Sequence, residues 1–258
     1  MLSALGSILM KIHQIEGYIQ TIYLVEYQDK LMLLDGCCRA DHDIVLSFIT
    51  QTLNRAIGDL KVILVTHMHP DHAGGAHKLA KTTGAKIAAC NAPGHWYRGL
   101  DGMLMHWTDM LLALYVAGRK GKKKQNLFYP RKLRADHFLA DGMTIPGFDD
   151  WQVMHIPGHT DRDIAAYHIP SERVYVADLM VKVKGKLIPP FPLFYPRRYR
   201  NSLLAIKLLQ PKSVILAHDG ELDFADIDFD SLIESAPTTP MTHWRSVKYK
   251  FKKALNIH

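Results

Sequence analysis

The sequence predicts an α/β protein, and three observations lead to that fold class. Short apolar runs rich in β-branched residues alternate along the chain with segments whose apolar residues recur at helical spacing. The chain opens with two strand-like runs, at 18–27 and 30–35, which read as part of a β-meander. At 258 residues, 48% of them hydrophobic, the chain is long enough for one α/β domain with a substantial core.

The first half of the chain continues this alternation after the meander. Residues 41–57 have apolar side chains at helical spacing, and Asp41 is the expected N-cap of that helix. The apolar run at 61–66 predicts a buried strand, residues 74–83 a short helix, and residues 85–90 a further strand.

Residues 93–136 interrupt the alternation and are predicted to be a helical and basic insertion. Their segment 103–117 reads as a helix that is apolar almost all round, so something must cover it. One interpretation is a core helix followed by a solvated basic loop. The other is a cap over the active site that attracts an anionic substrate or a membrane surface. The basic run contains no acidic residue and consists of Arg119, Lys120, Lys122, Lys123, Lys124, Arg131, Lys132 and Arg134.

The second half returns to strands and helices, and the whole chain, 1–258, is treated as a single domain that carries the insertion. The predicted elements are a strand region at 143–156, a hairpin at 163–177, a semi-rigid loop at 182–196, a helix at 199–209, a strand at 213–217 and helices beyond residue 226.

A cluster of metal-binding side chains directly follows the predicted strand at 61–66. Three imidazoles and one carboxylate stand within six residues, and His67 and His69, two positions apart, project to the same side of an extended segment. Asp71 and His72 follow after a proline has turned the chain, so they can point to a second position nearby. Imidazole and carboxylate are ligands of zinc, iron and manganese. The spacing therefore predicts a site for two metal ions.

Three isolated residues further along the chain are candidates for the same site. His159, Asp178 and His218 each follow an apolar, strand-like run and each begin a loop. Strand ends at one edge of a sheet can converge on one point although they are far apart in sequence.

The motifs at 66–75 and 157–160, with Asp178 and His218, resemble the five-motif signature of the metallo-β-lactamase superfamily in order and spacing. The resemblance includes the opening meander and extends over roughly 18–220. It implies a four-layer αββα sandwich, in which two mixed sheets pack face to face with helices outside. It also implies a dinuclear metal site at the edge that the sheets share.

The same resemblance implies a ligand set and a role for each member. The first metal would be held by His67, His69 and His159, the second by Asp71, His72 and His218, and Asp178 would bridge the two. The expected cofactors are two divalent ions, with Zn²⁺ as first choice and iron or manganese as alternatives. Such a pair would bind a reactive hydroxide, and Asp71 is the candidate catalytic residue that orients the hydroxide or passes its proton on.

The predicted function is a dinuclear metal-dependent hydrolase of a carbonyl-type bond, namely a thioester, a lactone or a related ester. Asp178 stands where zinc β-lactamases typically use Cys or Ser, which disfavours antibiotic hydrolysis. Val181 stands where acyl-homoserine lactonases usually carry Tyr. A phosphodiesterase that uses the basic runs 119–134 and 182–186 for phosphate binding is the runner-up. An iron-loaded redox enzyme and a metal-binding protein without turnover are further alternatives.

Composition sets the expected partners and location. The formal net charge of +7 agrees with a small-molecule substrate that can be anionic. No nucleic-acid partner is expected, because the RNA-processing members of the superfamily that this sequence resembles add a large nucleic-acid-binding module. Peripheral membrane contact and a homodimer stay open. Three cysteines form no disulfide framework, residues 1–10 make a poor secretory signal, and no run of 18 apolar residues occurs, so a cytoplasmic location is predicted.

Overall fold

The computed structural model describes residues 10–242 and contains two six-stranded mixed β-sheets and a separate two-stranded hairpin. The chain divides into two compact units. Of the described residues, 10–89 and 94–138 belong to unit 1, and 90–93 and 139–242 belong to unit 2. Whether the chain is one domain with an insertion at 93–136 stays a prediction.

The first sheet begins with the predicted meander and continues with parallel strands. β1 to β3 are antiparallel neighbours, whereas β3, β4 and β5 run parallel. All four residues of β3 are buried, and side chains alternate between the faces of a strand, so both faces of this strand are covered. The strands, in sheet order, are β1 (Lys11–Glu16), β2 (Thr21–Glu26), β3 (Leu31–Leu34), β4 (Leu60–Val65), β5 (Lys86–Cys90) and β6 (His137–Leu139).

The described part of unit 1, residues 10–89 and 94–138, contains four α-helices, and the longest lies in the predicted insertion. They are α1 (His42–Ser47), α2 (Pro70–Ala73), α3 (Ala76–Thr83) and α4 (Gly99–Arg119). Helix α4 is longer than the predicted 103–117. Its Ala113 and Ala117 join a buried apolar cluster with Tyr18, Cys38 and Leu127. One face of α4 is thereby anchored to the body of unit 1.

The predicted helix at 41–57 is too long. Helix α1 ends at Ser47 and continues only as a π-helical turn to Thr52, and the left-handed backbone of Asn54, with φ of 52°, breaks the helix. Asp41 precedes α1, but its side chain does not cap the helix. Its carboxylate instead accepts hydrogen bonds from the backbone N–H groups of Tyr18, at 2.7 Å, and Cys38, at 3.0 Å. Burial raises the pKa of Asp41 to about 6.

The second sheet lies within unit 2 and is mostly antiparallel. Its order is β14-β13-β10-β9-β8-β7, and within it β10 and β13 are parallel neighbours. The predicted hairpin at 163–177 is formed by β9 and β10. The strands of unit 2 are β7 (Thr144–Ile145), β8 (Phe148–His155), β9 (Ile164–His168), β10 (Arg173–Ala177), β11 (Val181–Val183), β12 (Lys186–Ile188), β13 (Ser213–Leu216) and β14 (Gly220–Asp223), and its α-helices are α5 (Pro196–Leu209) and α6 (Phe229–Glu234).

The segment 182–196 is not the continuous loop that its prolines indicate. Its first part forms the β11–β12 hairpin, in which Val183 pairs with Lys186. The two residues between them, Lys184 and Gly185, both have positive φ, at 51° and 81°. A two-residue hairpin turn of this kind matches the twist of the strands and favours glycine. The turn therefore sets the hairpin register.

The helices predicted beyond residue 226 and the N-terminal stretch examined for a secretory signal are described only in part. Helix α6 lies in the predicted helical tail, while the rest of that tail from 243, and the N-terminal stretch 1–9, lie outside the described residues. Among the helices of residues 10–242, none combines the length and apolar character that a bilayer crossing requires.

Candidate metal centre

The first part of the predicted ligand cluster, His67 and His69, follows the carboxyl end of strand β4. His67 Nε2 and His69 Nδ1 lie 3.1 Å apart, and the two rings meet edge to face with centroids 4.8 Å apart. Both side chains are buried. The two nitrogens therefore point to the same small volume, as the spacing of two residues predicts.

Helix α2 holds the second part of the cluster. Pro70 occupies its first turn, where a missing N–H costs nothing, and turns the chain immediately after His69. The His72 ring then lies against the His67 ring at a centroid distance of 4.0 Å, and His72 Nε2 is 3.6 Å from Asp71 Oδ2. All four predicted ligands of unit 1 are thus buried side by side.

Asp35, at the end of β3, organises this cluster and was not among the predicted site residues. Its Oδ2 accepts a hydrogen bond from His72 Nδ1 at 2.8 Å, so the acceptor nitrogen of His72 is Nε2. Its Oδ1 accepts from the Thr66 hydroxyl at 2.8 Å. The Thr66 hydroxyl has one proton and donates it in the hydrogen bond to Asp35. Thr66 Oγ1 therefore accepts a hydrogen bond from His67 Nδ1, 3.1 Å away. One buried carboxylate therefore sets the ring tautomers of both histidines.

A close approach of the backbone brings β3 to α2. Gly36 follows Asp35, and its N–H donates to the carbonyl of His72 at 2.7 Å. A Cβ on Gly36 would lie 2.8 Å from that carbonyl oxygen and from Ala76 Cβ, so only glycine fits between the strand and the helices.

Helix α4 contributes a carboxylate to the other side of the cluster. Asp109 Oδ2 lies 3.8 Å from His69 Nε2 and accepts a hydrogen bond from the Tyr97 hydroxyl at 2.8 Å. The Tyr129 hydroxyl donates to the carbonyl of Met68 at 2.5 Å. Burial raises the pKa of both tyrosines, which keeps them neutral donors. The insertion therefore fixes the backbone between the first two histidines and faces His69 with negative charge.

We expect Asp109→Asn to lower the affinity for divalent metal by about tenfold, since carboxylates that orient metal-binding histidines typically contribute this much or more. Asparagine keeps the shape and an acceptor for Tyr97 but removes the charge that faces His69. Competition with a chromophoric chelator measures the affinity. Asp101→Asn, an exposed position on the same helix, is the matched control. Unchanged affinity in folded Asp109→Asn would refute this positioning role.

In unit 2, the loop after β8 is built to orient His159. The buried Asp163 carboxylate accepts from the backbone N–H groups of Gly158, at 3.0 Å, and Thr160, at 2.7 Å. Burial raises the pKa of Asp163. A Cβ on Gly158 would lie 2.5 Å from Tyr199 Cα, so this loop packs directly on α5 only with glycine there.

The segment after the β11–β12 hairpin completes the orientation of His159. His159 Nδ1 donates to the carbonyl of Pro192 at 2.5 Å, so its acceptor nitrogen is Nε2. The N–H groups of Phe194 and Tyr195 both bond to the carbonyl of Gly158, at 3.2 Å and 2.9 Å. The part of 182–196 that follows the hairpin thus has a definite role, which is to hold the histidine loop.

Asp178 and His218 meet because β10 and β13 are parallel neighbours. Ala177 and Leu216 pair at the carboxyl ends of these strands, so the residues that follow them emerge at the same edge. Asp178 Oδ2 lies 3.5 Å from His159 Nε2, and Asp178 Oδ1 lies 3.3 Å from His218 Nε2. The two carboxylate oxygens therefore face two different imidazoles, the arrangement that a bridging ligand needs.

The cluster of each unit suits divalent metal. His67 Nε2 and His69 Nδ1 are within reach of one cation, and so are the ligand atoms of Asp71 and His72. The same holds in unit 2 for His159 with Asp178. His67 Nε2 and His69 Nδ1 are so close that either a hydrogen bond joins them or both bind one cation. The donor set, neutral imidazoles and carboxylates, thus fits zinc, iron or manganese.

The side chains differ in their exposure. The side chains of Asp35 and His72 are 0% exposed, whereas those of Asp178 and His218 are 12% and 23% exposed. Solvent therefore reaches the Asp178–His218 pair, whereas it does not reach Asp35 and His72.

Comparison with known proteins places the chain in a family. The model of the Metallo-beta-lactamase superfamily matches residues 15–218. The probable metallo-hydrolase YqjP of Bacillus subtilis is 26% identical over 170 residues, which cover 62% of this chain and 52% of that protein. The match thus spans about half of the length of that relative. A hydroxyacylglutathione hydrolase of Pelagibacter ubique is 26% identical over 202 residues, covering 71% of this chain and 69% of that protein.

The fold agrees with this assignment. ST1585 from Sulfolobus tokodaii, an archaeal metallo-beta-lactamase superfamily protein, aligns with a TM-score of 0.59 at 20% sequence identity, covering 86% of this chain and 83% of that chain. The predicted α/β fold class is confirmed by this similarity and by the two mixed sheets. Because the family model matches residues 15–218, well over half of the chain, the chain belongs to the metallo-β-lactamase superfamily.

Proposed function

We propose that the protein is a metal-dependent hydrolase that uses two divalent metal ions on a carbonyl-type bond, with a thioester as the first choice. The first metal would be held by His67, His69 and His159, the second by Asp71, His72 and His218, and Asp178 would be shared between them. Zn²⁺ is the first choice for the ions, with iron or manganese as alternatives.

The observation that carries the proposal is the geometry of Asp178. Its two oxygens face the Nε2 atoms of His159 and His218, so one carboxylate can serve two ions. The tautomer of His159, set by the Pro192 carbonyl, presents the nitrogen that metal coordination requires. Asp35 prepares His67 and His72 in the same way in unit 1.

When bound, divalent metal ions lower the pKa of water towards neutrality and polarise the oxygen of the bond to be cleaved. The chain's own residues supply orientation and proton transfer. We assign to Asp71 the role of accepting the proton of the attacking water and passing it to the leaving group as the carbonyl-type bond breaks. Its position 3.6 Å from His72 Nε2 places its carboxylate beside a predicted metal ligand. Asp109 and Asp35 orient ligands and are positioning residues rather than catalytic ones.

Two arguments favour a thioester or ester over a phosphodiester. The Pelagibacter ubique relative is named a hydroxyacylglutathione hydrolase, and acyl-glutathiones are thioesters. Several basic side chains of 119–134, which the phosphodiesterase hypothesis needs for phosphate, are engaged within unit 1. Lys120 Nζ donates to the Ile19 carbonyl, and Lys122 forms an ion pair with Glu16.

A substrate panel tests the proposal. Purified protein of measured metal content is assayed with an acyl-glutathione thioester, a lactone, a cephalosporin and bis(p-nitrophenyl) phosphate. We expect the thioester to give the largest kcat/KM, with the lactone next. If phosphodiester cleavage gave the largest kcat/KM, the proposed carbonyl-type bond would be wrong and the phosphodiesterase hypothesis would take its place. If activity required iron and a redox partner, the protein would be a redox enzyme and not a hydrolase.

A further inference from the structure

Helix α4 exposes an apolar face that the metal site does not use. Five large side chains form this face, which we call the α4 stripe, and their spacing of three or four residues places them on one side of the helix. The stripe extends over roughly 22 Å at 1.5 Å per residue. It consists of Leu100, Leu104, Trp107, Leu111 and Tyr115, which are 76%, 48%, 51%, 65% and 61% exposed.

The opposite face of α4 is already occupied. Met110, Ala113 and Ala117 are buried on unit 1, and Asp109 faces His69. The helix therefore keeps its orientation, and the stripe is held outwards. Surface helices normally show polar side chains in such a position, so a continuous apolar face marks an interaction surface.

Basic residues flank the stripe in the sequence, at both ends of α4. Residues 98–134 contain nine Lys and Arg and two acidic residues, while the rest of the chain contains 23 of each sign. The whole formal excess of +7 is thus located in this segment. Arg98 precedes α4, Arg119 ends it, and Lys123 and Lys124 follow, all of them exposed.

We propose that the α4 stripe docks on an anionic lipid surface. Leu, Trp and Tyr side chains on a helix, flanked by Lys and Arg, bury apolar area at the headgroup boundary while the basic residues contact acidic headgroups. A second copy of the chain fits less well. A two-fold dimer through the stripe would bring the basic residues of both copies to the same interface, where like charges repel. The proposal does not depend on the hydrolase assignment.

Flotation of the full chain with vesicles tests the docking. We expect binding to phosphatidylcholine vesicles that contain phosphatidylglycerol, and little binding to phosphatidylcholine alone. Leu104→Gln/Leu111→Gln should reduce binding by at least about tenfold, because each leucine loses its apolar burial. Lys123→Glu/Lys124→Glu should also reduce it and weaken its salt dependence. Leu208→Gln, on α5 and 80% exposed, is the control for a general loss of surface hydrophobicity.

Three results would overturn the proposal. One is equal binding to neutral and anionic vesicles, and another is no binding by the wild-type chain. The third is a dimer in light scattering that Leu104→Gln/Leu111→Gln dissociates, which would make the stripe a subunit interface. A change of Trp fluorescence on adding anionic vesicles that is lost in folded Trp107→Phe supports docking with the least disruptive variant.

Discussion

Replacing Asp178 with alanine is expected to reduce kcat/KM for hydrolysis by at least about 10²–10³-fold. A loss of this size is typical when one preorganised electrostatic contact is removed from an active site. The reason is the double contact of this side chain, 3.5 Å from His159 Nε2 and 3.3 Å from His218 Nε2. Without it, two imidazoles lose a shared anionic partner, and the two metal ions of our proposal would lose their common ligand. The measurement combines kcat/KM for the best substrate of the panel with metal content on the same preparation.

Two variants make this result interpretable. Asp178→Asn keeps the volume and one carbonyl oxygen, so we expect metal content between those of the wild type and Asp178→Ala. Asp223→Ala, at an exposed position of β14, removes a carboxylate from the same unit and should leave both readouts unchanged. Full activity in Asp178→Ala would contradict the bridging role.

Asp35→Asn is expected to lower metal affinity by about 10–100-fold although it changes a residue that contacts no metal in our proposal. The asparagine carbonyl can still accept from Thr66, but its NH₂ group then faces His72 Nδ1, from which the carboxylate accepts a hydrogen bond at 2.8 Å in the wild type. His72 would shift to the tautomer that carries its proton on Nε2. That nitrogen could no longer bind a cation.

The measurements must distinguish a loss of metal affinity caused by the His72 tautomer from one caused by a general loss of stability. Chelator competition gives the affinity, and ¹⁵N NMR of the histidine rings reports which nitrogen carries the proton. Asp35→Ala, which leaves a buried backbone N–H and two side-chain donors without an acceptor, should in addition be destabilised by about 1–3 kcal/mol or more in urea. Asp29→Asn, in an exposed turn, is the control. Wild-type affinity in Asp35→Asn would show that the tautomer is set elsewhere.

The sequence predicts the parts of this molecule that depend on neighbouring residues. The buried strand β4 and the cluster after it are visible because a continuous apolar run leads directly into His67 and His69. The hairpin of β9 and β10 is visible because its turn lies between two strand-like runs. Asp178 and His218 are recognisable because each ends an apolar strand.

Residues that act on a distant partner were missed. Asp35 contacts His72 across 37 positions, and Pro192 contacts His159 across 33. No local pattern shows such pairs, and a backbone carbonyl has no sequence signal at all. Asp109 does have a sequence signal, because it is the single acidic residue of the apolar segment 103–117. A buried carboxylate needs a partner, and here it faces His69.

The misjudged helix at 41–57 has a similar cause. Ile44 fits the helical spacing that predicted the helix, yet its side chain is 42% exposed. Ile44 itself lies within α1, so the helical spacing is correct there. Asp41 stands at the N-cap position of α1, but the backbone N–H groups of Tyr18 and Cys38 donate to its carboxylate instead. These hydrogen bonds take the place of the expected N-cap.

Metal stoichiometry of the purified chain tests the central claim most directly. Protein prepared without added chelator and dialysed against metal-free buffer is analysed for zinc, iron and manganese together with protein concentration. Two equivalents of divalent metal per chain are predicted for the wild type, with clearly less in Asp178→Ala. A chain that takes up no metal, even after incubation with each ion, would contradict the account.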